Sequence, residues 1–194
     1  MQHPQNQLHN MKILILALVV WVILADVDML AEQTVSTKST APAETNSVGA
    51  RKKITLTVTR ADSEETSGED GKAANAVDGN TNTIWHTQWQ DANPEHPHEI
   101  VIQLSEPATI KGFTYLPRQD DSENGTIKDY EFFVSEDGKE FGQPVKKGAF
   151  AGGKECKTVS FEPRKCRYIK LRALSEINDE AWTSAAEIGV VPAD

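Results

Sequence analysis

From residue 54 onward the chain sustains no helical repeat: its apolar residues come in short runs that alternate with polar ones and are cut apart by glycine, proline and asparagine. ITLTVTR (54–60), EIVIQL (99–104), TIKGFTYL (109–116), DYEFFVS (129–135), KTVSF (157–161) and RYIKLRA (167–173) read as strands. Ile100, Ile102 and Leu104 alternate with Val101 and Gln103, and Ile169 and Leu171 with Lys170 and Arg172, the period of a half-buried sheet. Asp78-Gly79, Asn124-Gly125, Asp137-Gly138 and Gly152-Gly153 mark turns. The spacing predicts an all-β domain, an antiparallel jelly-roll sandwich whose loops carry function. EPRK (162–165) is expected as a turn between two of these strands.

Ahead of that domain, residues 13–25 form an unbroken apolar run closed by Asp26 and Asp28. It is a signal-peptide core, short of the roughly 20 residues a spanning helix needs. Residues 1–31 are expected as the signal peptide, with a start at Met11 giving the compact form because MQHPQNQLHN carries no positive cluster. The mature protein would be secreted or periplasmic, and membrane-tethered if cleavage failed. Residues 32–53, rich in Ser, Thr and Ala, read as a flexible linker, and 54–191 as the globular domain. A length of 194 residues fits one such domain with its appendages.

Charge narrows the function. Lys and Arg total 20 against 29 Asp and Glu, a formal net charge of -9, so nucleic acid is not an expected partner. SEETSGED and DDSEN make the loops acidic, which argues against lipid insertion of the mature domain. A monomer is expected. Cys156 and Cys166 are too few for a disulfide scaffold or a cysteine-built zinc site, and whether they bond is open. His96 and His98 in PEHPH read as solvent-exposed loop, and Trp85 as core. The neighbouring carboxylates Glu69/Asp70 and Asp120/Asp121 read as solvated groups rather than a catalytic pair, so no enzyme activity is expected.

The loops hold the unusual residues. Asp78, Asn80 and Thr83 crowd oxygens around a glycine turn, which by itself reads as an Asx turn before it reads as a hard-cation site. An EF-hand is excluded, because Thr83 stands where glycine is required and Trp89 where the bidentate Glu belongs. His86, Trp89, Arg118, Asn124 and Trp182 join aromatic faces to polar groups, the combination a sugar needs for its C–H face and its hydroxyls. Four of them have a plainer alternative: packing for Trp89, a core position for His86, an ion pair with Asp120 or Asp121 for Arg118, an ordinary turn for Asn124.

Together, AANAVDGNTNTIWHTQW, YLPRQDDSENGTIKDYEFFVSEDGKEFG, CRYIKLRALSE and AWTSAAEI resemble the discoidin family, also called the coagulation factor 5/8 type C domain, and its bacterial family 32 carbohydrate-binding modules most of all. The resemblance implies an eight-stranded jelly roll, a structural Ca2+ and a shallow site for terminal galactose or N-acetylgalactosamine. It implies His86, Arg118 and Asn124 as hydroxyl partners, Trp182 as the stacking platform and Trp89 as lining; Glu69, seventeen residues before His86, is expected as a further acceptor. It also implies Asp78, Asn80, Thr83, a carbonyl near Asn75, and Glu187 as the calcium ligands. The alternative function is a cell-surface adhesion or protein-interaction discoidin domain without a sugar site.

Overall fold

The computed structural model describes residues 53–193, so the signal peptide and nearly all of the expected linker lie outside the described residues. Eight strands follow one another: β1 (Leu56–Ala61), β2 (Trp85–His86), β3 (His98–Leu116), β4 (Asp129–Ser135), β5 (Lys146–Ala149), β6 (Lys157–Ala173), β7 (Ser184–Ala185) and β8 (Glu187–Pro192). A 3-10 turn at Ala73–Val77 is the one helical element among the described residues. The main sheet runs β1-β3-β6-β4-β5 with β8 also on β3, and β2 pairs with β7. All of these strand pairings are antiparallel.

Two pairs of expected strands are single strands. EIVIQL and TIKGFTYL are both within β3, and KTVSF and RYIKLRA within β6, with EPRK inside the strand rather than at a turn. The two long strands pair along both halves. Between Gln103↔Tyr168 and Ala108↔Cys166 the extra residues of β3 include Pro107, and between Ile110↔Arg164 and Gly112↔Ser160 the extra residues of β6 include Pro163. A proline has no N–H for the ladder, and a bulge takes it up without ending the strand. The first half of β3 lies beside β1 and the second beside β8, so the bulges are where the sheet changes neighbours.

Inside, Ile100, Ile102, Leu104, Ile110, Phe113, Tyr115, Phe132, Ile169, Leu171 and Ile188 form one core, closed at the loop end by Trp85 and Ile127. Phe113 and Phe132 stack at 4.0 Å, and Tyr130 on Phe150 at 4.2 Å. Trp85 is core, as expected, and its indole N–H donates to the Ser63 carbonyl at 2.9 Å. The alternation in β6 is less clean than its sequence suggests. Lys170 is buried on the outer face, its ammonium over the ring of Phe133 and 3.3 Å from Glu99. Cys156 is exposed and Cys166 buried, and both are free thiols.

Candidate functional site

The β2–β7 pair sets the site. Its register places His86 opposite Ser184, two residues beyond Trp182, and the His86 and Trp182 rings come within 6.3 Å. Arg118 follows the end of β3, and Asn124 precedes the Gly125 turn, whose carbonyl accepts from the Ser184 N–H at 2.7 Å. Gly125 has φ +79, and a Cβ there would meet Ser184 N at 2.7 Å. The six residues expected at a sugar site, Glu69, His86, Trp89, Arg118, Asn124 and Trp182, line one open cavity of about 230 Å³, together with Ser122.

His86 is buried, and its Nδ1 lies 2.7 Å from the Thr87 carbonyl. That contact requires a proton on Nδ1 and leaves Nε2 as an acceptor. Burial holds its pKa below the ordinary histidine value, with the Arg118 charge adding to the effect, so the ring is neutral at pH 7. Arg118 is 8% exposed and forks onto Asp120, Nε to Oδ1 at 2.7 Å and Nη2 to Oδ2 at 2.5 Å, while Nη1 donates to the Asn124 carbonyl at 3.3 Å. The ion pair foreseen for Arg118 therefore exists, but it orients a buried guanidinium instead of floating on the surface. Asn124 is exposed, and its side-chain amide has no hydrogen bond among the described residues. Trp89 is 39% exposed, its indole N–H bonded to Glu69 Oε1 at 3.0 Å and its ring against Gly68, where a Cβ would come within 2.6 Å.

Two buried glutamates with no local sequence signal, Glu65 and Glu176, fix these loops. Glu65 accepts four main-chain N–H groups: Ser67 at 2.7 Å and Gly68 at 2.8 Å on one oxygen, Trp89 and Gln90 at 2.9 Å on the other. The Trp89, Gly68 and Gln90 amides lower its pKa to about 2. Glu176 accepts from Gly125 N at 3.1 Å and Asn178 N at 2.5 Å, tying the Asn124 turn to the loop that leads to Trp182. His98 is likewise wholly buried, not the exposed loop residue expected. Its Nδ1 is 2.8 Å from Asp62 and its Nε2 2.8 Å from the Ala181 carbonyl.

The 78–83 loop shows the Asx turn. Asp78 Oδ1 accepts from Asn80 N at 2.7 Å, Asp78 Oδ2 from the Thr83 hydroxyl at 2.7 Å, and Asn80 Oδ1 from Asn82 N at 3.2 Å. Asn75 spends its amide on the carbonyls of Asp70 and Ile84. Glu187, at the start of β8, lies next to this turn, and its Oε1 is buried without a hydrogen-bond partner. Burial, then the nearby Asp78 carboxylate, pushes the Glu187 pKa up against the pull of the Gly79 and Asn80 main chain. An orphaned buried carboxylate oxygen beside a second carboxylate, with hydroxyl and carbonyl oxygens around it, is a donor set that fits a hard divalent cation.

Residues 57–188 match the F5/8 type C domain family. The chain belongs to this family. Its discoidin-type sandwich recurs in CpGH89CBM32-5 from Clostridium perfringens, solved in complex with GalNAc-β-1,3-galactose, which is 37% identical with a TM-score of 0.63 and is matched over 71% of this chain and 94% of that one. The family 32 module of C. perfringens NanJ, solved with galactose, is 30% identical with a TM-score of 0.59, over 71% of this chain and 92% of that one. Among curated proteins, the chain is 39% identical to a sialidase of Micromonospora viridifaciens over 75% of its own length but 23% of the sialidase. It is also 39% identical to a galactose oxidase of Gibberella zeae over 66% of its length and 19% of that enzyme. The chain thus spans about a fifth of the length of these two curated relatives.

Proposed function

We propose that this F5/8 type C domain is a non-catalytic carbohydrate-binding module that takes one terminal galactose or N-acetylgalactosamine unit in the cavity between His86 and Trp182. The observation that carries the reading is the composition of that one cavity: a neutral imidazole acceptor, an oriented guanidinium donor and a free amide facing two indoles. A sugar hydroxyl is donor and acceptor at once. It donates to His86 Nε2 and accepts from Arg118, Asn124 holds a neighbouring hydroxyl, and Trp182 and Trp89 cover the C–H face. A cavity of about 230 Å³ suits a single sugar ring rather than a long chain. The relatives solved with galactose and with GalNAc-β-1,3-galactose support the same ligand class.

The carboxylates do not make a hydrolytic pair. Asp120 is held by Arg118, Glu69 by Trp89, and Asp70 by Lys72 at 2.9 Å. We also propose a structural Ca2+ held by Asp78, Asn80, Thr83, Glu187 and the Asn75 carbonyl, where it would neutralise the Asp78–Glu187 pair and fix the loop. We propose, from the apolar run at 13–25, that the module is exported to where it meets glycans.

Hydrogen bonds to charged groups contribute roughly 1.5–3 kcal/mol each before ordering costs, so an open site of this size should bind with a Kd of about millimolar to high micromolar. Calorimetric titration with galactose, N-acetylgalactosamine and glucose, on the protein and on Trp182→Ala, tests the reading. Binding of the first two that is lost in the variant is expected; a folded protein that takes none of the three refutes it. For the cation, calcium is expected to raise the melting temperature of the protein and not of Glu187→Gln.

A further inference from the structure

His98 is not part of the cavity, yet it holds the segment that carries the proposed platform. Its ring is fully buried at the first residue of β3, with an oxygen 2.8 Å from each nitrogen: Asp62 Oδ2 at Nδ1 and the Ala181 carbonyl at Nε2. A neutral imidazole has one N–H and could serve only one of these acceptors, leaving a lone pair facing the other; the imidazolium serves both. Ala181 is the residue before Trp182. On the other side, the Thr183 hydroxyl is 3.1 Å from His96 Nε2, and the Thr183 N–H donates to Thr87 Oγ1 at 2.9 Å.

We propose that His98, as an imidazolium bridging Asp62 and the Ala181 carbonyl, is a positioning residue for Trp182, so that glycan binding weakens as alkaline pH removes its second proton. The inference rests on the sugar-binding reading of the cavity above. Burial opposes the charge on His98, but the Asp62 carboxylate and the Ala181 carbonyl more than offset it and raise its pKa above the ordinary value. The titratable groups around it are Asp62 next to β1 and His96, whose ring lies 4.9 Å away and is itself acted on by Glu95. β6 sets the uncharged Ala173 opposite it. Burial, then the neighbouring charge on His98, keeps His96 below its ordinary pKa and so neutral. The bridge is therefore intact below the ordinary histidine pKa and is lost as pH rises through the raised one. The acid limb is separate and belongs to His86, whose acceptor is lost on protonation.

The test is the galactose Kd measured from about pH 6 to about pH 9, beside NMR titrations of the His98 ring and of the Trp182 amide and indole N–H. Loss of a charge-assisted hydrogen bond should weaken binding roughly three- to tenfold across the alkaline limb. Its midpoint should coincide with that of His98, and the Trp182 resonances of the free protein should move with it. Asp62→Asn should shift the His98, Trp182 and Kd midpoints to lower pH together, and His98→Gln should remove the alkaline limb. Affinity that stays flat while His98 titrates, or a Kd midpoint unmoved by Asp62→Asn, overturns the proposal, because a merely structural histidine would change affinity equally at every pH. If no sugar binds at any pH, the sugar reading fails, while the Trp182 resonances alone still decide the positioning.

Discussion

Gly125→Ala should damage both the fold and the site, by an amount the local geometry fixes. Gly125 has φ +79, in the left-handed region, where an L-residue costs roughly 1–2 kcal/mol. Its missing Cβ would sit 2.7 Å from Ser184 N, 2.8 Å from Thr183 C and 2.9 Å from Ser184 Oγ. Two of those atoms are main chain and cannot swing aside, so overpacking adds roughly 1–3 kcal/mol. The sum, roughly 2–5 kcal/mol, corresponds to a fall in Tm of roughly 6–15 °C for a domain of this size. The displaced elements are the Asn124 turn and the strand after Trp182, so galactose binding should fall with stability. Gly142→Ala is the matched control: its φ is also positive, at +57, but nothing lies within 4 Å of the added Cβ, and only the conformational cost of about 1–2 kcal/mol remains. Urea unfolding and thermal melts of the two variants decide the matter. If Gly125→Ala is no less stable than Gly142→Ala, the close approach of the Asn124 turn to the 183–184 segment is wrong.

Other consequences are separable by experiment. Glu65→Gln puts an amide NH2 against two main-chain donors, so stability and sugar affinity should both drop at neutral pH, measured by urea unfolding and calorimetry. Because the folded pKa of Glu65 is depressed to about 2, its contribution is complete above the ordinary glutamate value and is lost as pH falls towards 2; acid unfolding of the variant should lack that step. Asp120→Asn takes the bidentate partner from the buried Arg118 guanidinium, so galactose binding should weaken several-fold and the Tm should fall with it. A maleimide should modify Cys156 alone in the native protein and both thiols in urea, because Cys166 is buried and its pKa is pushed up to about 11 by burial and then by Glu136.

The fold class was legible because alternating runs such as EIVIQL and RYIKLRA carry their burial in their period. Their continuity was not: Pro107 and Pro163 read as breaks, and only the partner strand on either side shows that each is taken up in a bulge. β2 and β7, two residues each, are too short for any period, yet their pairing brings His86 to Trp182. Five of the six cavity residues stood out as aromatics and hydrogen-bonding groups in loops, while Glu69 entered only as a further acceptor in an acidic stretch. The residues that hold them did not. Glu65 sits among Glu64, Glu69 and Asp70 in an acidic stretch, and nothing local says that four N–H groups converge on that one carboxylate. His98, in PEHPH, gave no sign that Asp62 and Ala181, far away in the chain, would meet its two nitrogens.

The most direct test of the sugar-binding claim is a crystal structure of the protein with galactose. The ring should lie in the cavity with its C–H face on Trp182, one hydroxyl between His86 Nε2 and Arg118, and a neighbour on the Asn124 amide. Galactose bound elsewhere, or a cavity that stays filled with water at saturating sugar, would contradict it.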